Sequence, residues 1–345
     1  MADGEAAKGT VLVTGGSGYI GGWCVIGLLQ QGYTVRTTVR DLKREGQVRA
    51  ALGKAVEIGD RLSFYAADLM SDAGWDGAVA GCDYVLHVAS PLGVAEPKDP
   101  NELIIPARDG ARRVIGAAIK AGVKRVVQTS SVAATSKPPG PPDSIADETQ
   151  WTDPTLPKVS AYSQSKTLAE KAAWELIGAA GGATTLATVN PALVLGPVLG
   201  HDFSESVQVV ERLVSGRVPG LPRLGFNIVD VRDVADLHIR AMTAPEAAGQ
   251  RFIAAGTYAW MADLAALLRA KLGADAAKVP TRKVPDFVLK LAALFDKDLG
   301  AVTGGLGLKH DFSSAKAQAM LGWKPRPLED TVLDCARSLI AEGAV

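Results

Sequence analysis

From Thr10 to Val189 the chain alternates short apolar runs with longer stretches of helical periodicity. Thr10–Thr14, Thr34–Val39, Leu62–Ala66, Tyr84–Val88, Arg125–Thr129 and Thr184–Val189 are short and rich in Val, Leu and Thr, which predicts strands. Between them Tyr19–Gln31, Leu42–Leu52, Trp75–Ala80, Glu102–Ala121 and Ala161–Ile177 read as helices. Repeated β-α alternation predicts an α/β fold, a Rossmann-type doubly wound parallel sheet with helices on both faces. In such sheets the ligand crevice lies at the carboxyl ends of the strands.

The second half is less regular. Val207–Ser215, Val231–Met242, Met261–Lys271, Phe287–Phe295, Ser313–Leu321 and Leu328–Ala341 read as helices, and Arg251–Ala255 as one more strand. Pro and Gly interrupt often. The expected organisation is a dinucleotide-binding unit over residues 1–194, with return segments near 228–256. Residues 195–227 and 257–345 are expected to form a smaller, mainly helical substrate lobe. The run Lys137-Pro138-Pro139-Gly140-Pro141-Pro142 can be neither helix nor central strand. It reads as a loop, either a plain connector or a wall of the site.

Composition narrows the function. With 345 residues and 47% hydrophobic content, a large core is expected and disorder is not. Lys plus Arg and Asp plus Glu number 37 each, and this zero net charge argues against nucleic acid or an anionic membrane surface as partner. Cys24, Cys82 and Cys335 form no C-x-x-C pair and read as buried small hydrophobes. His87 falls in a strand, His238 in a helical pattern, and His201 and His310 in separate loops, so no metal is expected; His201 is a candidate for the pocket border. The longest apolar stretch, Ala183 to Leu199, is broken by Asn190, Pro191 and Pro197. The start of the chain lacks the basic-then-apolar pattern of a signal peptide, and a cytoplasmic location is expected.

The first βα turn carries Gly15-Gly16-Ser17-Gly18-Tyr19-Ile20-Gly21. Glycine permits the tight turn, close approach to a pyrophosphate and close helix–strand packing, while the helix N-terminus offers free N–H groups to phosphate. Gly15, Gly18, Tyr19, Ile20 and Gly21 are therefore candidate cofactor-binding residues. The second strand ends at Arg40-Asp41, with Lys43 and Arg44 behind. An arginine there suits the 2′-phosphate of NADP, and an acid suits the ribose of NAD. Arg40 and Arg44 favour NADP; Asp41 keeps NAD open. Asp68 and Leu69, after the third strand, are expected beside the adenine.

Tyr162 and Lys166 are four residues apart in a helical stretch, hence on one face. A neighbouring ammonium favours phenolate and lowers a tyrosine pKa, which suits proton transfer. The fifth strand runs into Thr129-Ser130-Ser131, so a hydroxyl that holds a carbonyl oxygen is available beside the proton donor.

Together Thr14-Gly15-x-x-Gly18-x-x-Gly21, Ser131 and Tyr162-x-x-x-Lys166 resemble an extended short-chain dehydrogenase/reductase. Within it the chain is similar to the branch of dihydroflavonol 4-reductases and microbial NADPH-dependent aldehyde and carbonyl reductases. The runs Val85-Leu86-His87-Val88-Ala89-Ser90-Pro91 and Asp230-Val231-Arg232-Asp233-Val234-Ala235 add to the likeness, as does Leu321-Gly322-Trp323-Lys324-Pro325. The resemblance implies Ser131 as substrate-orienting hydroxyl, with Ser130 as rival, Tyr162 as acid/base, and Lys166 on the nicotinamide ribose. It implies Arg40 on the 2′-phosphate, Ala89 and Ser90 along the nicotinamide half, and backbone from Pro191 to Val194 facing the carboxamide. Two departures stand out. Cinnamoyl-CoA reductases carry Asn-Trp-Tyr-Cys where this chain has Val159-Ser160-Ala161-Tyr162-Ser163, and flavonoid reductases carry an asparagine where it has Ser136. The implied reaction is reduction of a small-molecule aldehyde or ketone by a monomer or homodimer; apolar residues such as Leu199, Phe203, Val207 and Leu221 either line a pocket for a hydrophobic or aromatic substrate or form the core of the lobe. A nucleotide-sugar epimerase or dehydratase, a steroid dehydrogenase and a non-catalytic NADP sensor are the alternatives.

Overall fold

The computed structural model describes residues 8–91, 97–135, 145–157, 159–293 and 303–345. Its centre is a seven-stranded, wholly parallel sheet. The strands are β1 (Thr10–Thr14), β2 (Thr34–Val39), β3 (Leu62–Ala66), β4 (Tyr84–His87), β5 (Arg125–Thr129), β7 (Thr185–Pro191) and β10 (Gln250–Ala254), in the order β3-β2-β1-β4-β5-β7-β10. The order reverses at β1, where a crevice opens between the β1 and β4 ends.

Side chains on a strand alternate between faces, and the core divides accordingly. Val11, Val13, Val35 and Val127 pack with α1 (Tyr19–Gln30), α2 (Glu45–Gly53) and α7 (Val231–Thr243). Leu12, Val85, Val126 and Leu186 face the other way, onto α3 (Trp75–Val79), α4 (Asn101–Lys120) and α5 (Ala161–Ala180). The expected helix over Leu42–Leu52 is split. Asp41 accepts the Lys43 N–H at 2.9 Å and starts a short 3₁₀ turn, Leu42–Arg44, before α2 begins.

The later part contains α6 (Gln208–Val214), α8 (Met261–Lys271), α9 (Asp286–Ala292), α10 (Ala315–Leu321) and α11 (Leu328–Ala341). It also holds strands that the apolar pattern did not announce. β8 (Leu193–Leu195) and β9 (Gly225–Asp230) run parallel, and β11 (Tyr258–Trp260) closes the group antiparallel to β9. A short parallel pair joins β6 (Ile145–Ala146) to β12 (Asp311–Phe312). Val207 and Leu221 are buried core residues rather than pocket lining. Ser136 and the proline-rich run Lys137–Pro142 lie outside the described residues. Among the described residues no helix is long and apolar enough to cross a membrane.

Candidate active site

The glycine turn is shaped by contacts that exclude side chains. Gly15 has φ 71°, a left-handed backbone, and its N–H donates to Thr38 Oγ1 at 3.0 Å. A Cβ on Gly21 would overlap the Gly15 carbonyl oxygen and lie 2.9 Å from its carbon; one on Gly16 would overlap the Thr37 hydroxyl. Gly18 N–H closes the turn onto Gly15 O at 2.9 Å. Gly18 is also the N-cap of α1, and no side chain caps that terminus. The first-turn N–H groups, including those of Tyr19 and Ile20, are therefore presented as anion donors. The cradle fits the pyrophosphate of a dinucleotide. The Tyr19 side chain itself turns away: its hydroxyl donates to Gly196 O at 2.7 Å.

Thr14 fastens this turn to β4. Its Oγ1 accepts the N–H groups of Val88 and Ala89, both at 3.0 Å, so its own proton goes to His87 Nδ1 at 2.9 Å. His87 is thereby neutral with its proton on Nε2, and burial, helped by the Lys166 charge, holds its pKa down to about 3. Ala89 and Ser90 follow, half-buried beside Gly15.

On the adenosine side, Arg40 is exposed at the end of β2 and makes no hydrogen bond or ion pair among the described residues. Asp41, the acid that kept NAD open, is occupied by the Lys43 N–H. Arg44 pairs with Asp202 at 2.5 Å. Both border a cleft between the glycine turn and α2, whose other walls include Gly18, Gln47, Leu199 and His201. His201 thus borders the nucleotide side. Asp68 turns its Oδ1 onto the Met70 N–H at 2.9 Å, and Leu69 packs on Gly110 of α4 while Arg113 holds its carbonyl at 2.8 Å.

The reacting candidates meet at the carboxyl edge of β5. Ser160 caps α5 through the Ser163 N–H at 3.2 Å, and the first turns of α5 carry Tyr162 and Lys166. The Ser131 hydroxyl acts on the Tyr162 phenol in the direction that favours its ionised form, and it accepts the Ala133 N–H at 3.1 Å. Ser130, its rival, instead donates to buried Glu170 at 2.6 Å. Lys166 Nζ lies 5.8 Å from the Tyr162 ring centroid and donates to Ser90 Oγ at 2.9 Å. Sequence reasoning expected Lys166 to depress the Tyr162 pKa. The net direction here is upward: burial raises it, Ser131 offsets this in part, and the Glu205 charge adds to the rise. Burial brings Lys166 down to about 8, against an upward pull from Glu170. Tyr162 therefore keeps its proton at neutral pH, as a donor must. Pro191 ends β7, and the Val194 carbonyl is taken by Ser206 Oγ at 2.6 Å. Among the described residues no cluster of His, Cys, Asp or Glu could hold a metal ion.

Sequence reasoning missed Glu205 and the Glu170 cluster. Glu170 lies four residues after Lys166 on the same helical face, and that spacing was a readable signal.

A model of the family described as NAD dependent epimerase/dehydratase matches residues 11–256, from the glycine strand through β10. The chain belongs to this family. Among family relatives, cinnamoyl-CoA reductase 1 of Arabidopsis thaliana is 39% identical over 250 residues, 71% of this chain and 70% of that one. Dihydroflavonol 4-reductase of Zea mays is 37% identical over 273 residues, 77% and 75% of the two chains. Yeast methylglyoxal/isovaleraldehyde reductase Gre2, solved in complex with NADPH, superposes with a TM-score of 0.80 at 26% identity, covering 97% of this chain and 100% of that one. The resemblance to extended short-chain dehydrogenases/reductases of the dihydroflavonol and aldehyde reductase branch is thus borne out. Likeness to a cinnamoyl-CoA reductase extends over these residues even though the stretch around Tyr162 departs from the Asn-Trp-Tyr-Cys pattern.

Proposed function

We propose that this family member is an NADPH-dependent reductase of a small-molecule aldehyde or ketone. The observation that carries the reading is the convergence of Ser131, Tyr162 and Lys166 at one strand edge, one residue step from the glycine-turn contact Ala89. Bound NADPH supplies the hydride that reduces the carbonyl carbon. Ser131 donates to the carbonyl oxygen and orients it. Tyr162, protonated at neutral pH, delivers the proton that turns the developing alkoxide into an alcohol. Lys166, now on Ser90, is the cation available to the nicotinamide ribose. Arg40 and Arg44 are the charges for the 2′-phosphate.

The reductase relatives and the NADPH complex of Gre2 support this over an epimerase cycle. Leu199 and Phe203 wall the same nucleotide-side cleft as His201, so the substrate class rests on the reductase relatives. A spectrophotometric panel of aromatic aldehydes, aliphatic ketones, keto esters and dihydroflavonols, with NADPH and with NADH, tests the reading. Stoichiometric NADPH oxidation is expected. A protein that isolates with tightly held NAD and consumes no coenzyme is an epimerase instead.

A further inference from the structure

Behind the candidate site lies a buried ion pair with no part in the proposed chemistry. Glu170 is fully buried on α5, one turn beyond Lys166 and two beyond Tyr162. Its Oε1 accepts from Arg251 Nε at 2.6 Å, Thr188 Oγ1 at 2.9 Å and Trp174 Nε1 at 3.4 Å. Its Oε2 accepts from Ser130 Oγ at 2.6 Å, Asn190 Nδ2 at 2.9 Å and Arg251 Nη2 at 3.2 Å. One carboxylate thus ties α5 to β7, to β10 and to the end of β5. A charge this deep is sustained only by such pairing.

Further bonds reach the backbone that carries Ser131. Asn190 Nδ2 also donates to the Ser131 carbonyl at 3.1 Å. Arg251 Nη1 donates to the carbonyls of Glu148 and Gln150, both at 2.8 Å, and its guanidinium lies 3.7 Å over the Trp151 ring. Thr152 of that segment bonds back to the residues just after Ser131, with Oγ1 on Ala133 O at 2.6 Å and N–H on Ala134 O at 3.0 Å. The strand end bearing Ser131 and the helix bearing Tyr162 therefore share one electrostatic anchor.

We propose that Glu170 and Arg251 are positioning residues that hold the Ser131 strand end and the Tyr162–Lys166 helix face in register. The inference rests on the reading of these three residues as the reacting group. Glu170 also acts on Lys166 by charge, opposing the loss of its proton on burial. The other groups around Lys166 do not take this role. His87 on β4 is neutral, Tyr162 keeps its proton, and Ser90 carries no charge. On α4, which packs against α5, Arg108, Asp109, Arg112 and Arg113 are engaged in ion pairs with one another, with Asp72 and with Glu175.

The test compares wild type, Glu170→Gln, the electroneutral double variant Glu170→Gln/Arg251→Gln, and Tyr162→Phe. The readouts are thermal unfolding, turnover, and NADPH affinity against pH, followed by coenzyme fluorescence. Glu170→Gln leaves a buried guanidinium unpaired and is expected to lose stability; the double variant, which needs no buried charge, carries the test if the single one does not fold. The double variant is expected to unfold cooperatively, yet turn over on the order of 10- to 100-fold more slowly, as misplacement of reacting groups does. Wild-type NADPH affinity is expected to fall as pH rises through about 8, where Lys166 loses its charge, and in the double variant that fall moves to lower pH. A double variant with wild-type turnover and an unmoved pH dependence overturns the proposal. An active Tyr162→Phe sinks the reading of the site itself, so the two failures are distinguishable.

Discussion

In the proposed reading, Arg40 is the residue on which coenzyme choice turns. It is exposed and unpaired among the described residues, while neighbouring Asp41 is occupied by its own turn and Arg44 by Asp202. A free guanidinium costs little to redirect onto a phosphate, and charge-assisted bonds of that kind contribute about 1.5–3 kcal/mol. Arg40→Ala is therefore expected to raise the KM for NADPH by about tenfold or more and to leave that for NADH nearly unchanged. Steady-state kinetics with both coenzymes decides it; equal losses with both would show that Arg40 serves the fold rather than the phosphate. The residues proposed at the glycine turn, with Ser131, Tyr162 and Lys166, could be named from the sequence because few residue types suit the proposed tasks. The direction of the Tyr162 pKa was not legible. It depends on burial and on Glu205, which lies more than forty residues further along the chain.

At the scale of elements, the seven strands of the main sheet, β1 to β5, β7 and β10, were readable because a parallel sheet covered on both faces demands continuous apolar runs. β8, β9 and β11 were not. They are short, lie among Gly and Pro, and owe their conformation to one another rather than to local preference. Glu170 and Arg251 illustrate the same limit. Each reads as an ordinary charge on its own element, and only the meeting of α5 with β10 makes them a pair. The β1–α1 turn is the element under most demand. Gly21→Ala forces a methyl into the Gly15 carbonyl, so the turn must open. The expected result is loss of NADPH binding by at least tenfold with a folded protein retained, measured by coenzyme titration and circular dichroism. Unchanged affinity would mean that the turn does not carry the pyrophosphate.

At the scale of the molecule, two buried histidines tie elements together, His87 of β4 to Thr14 of β1 and His238 of α7 to Thr129 of β5. His238 on α7 donates from Nδ1 to Val234 O at 2.7 Å, which fixes its proton there and leaves Nε2 to accept from the Thr129 hydroxyl at 2.7 Å. Burial lowers its pKa to about 4, and that of His87 to about 3. As pH falls below 6.5 the unfolded chain takes up protons that the folded one refuses, so stability falls, by about 1.4 kcal/mol per pH unit for each histidine. The loss ends where the folded forms themselves protonate. Asp233, pushed up to about 6 by burial, titrates in the opposite sense. Comparison with His238→Gln isolates one share. The stability gap between wild type and variant, from urea unfolding, is expected to narrow as pH falls from 6.5 towards 4; a constant gap contradicts a neutral, buried His238. The central claim concerns a single oxygen, the Tyr162 hydroxyl beside Ser131. The most direct test is Tyr162→Phe, with NADPH binding and turnover measured on the same preparation. The account predicts wild-type NADPH affinity with turnover reduced by about 10²- to 10⁴-fold, the usual worth of a general acid. Near-normal turnover in that variant would contradict it.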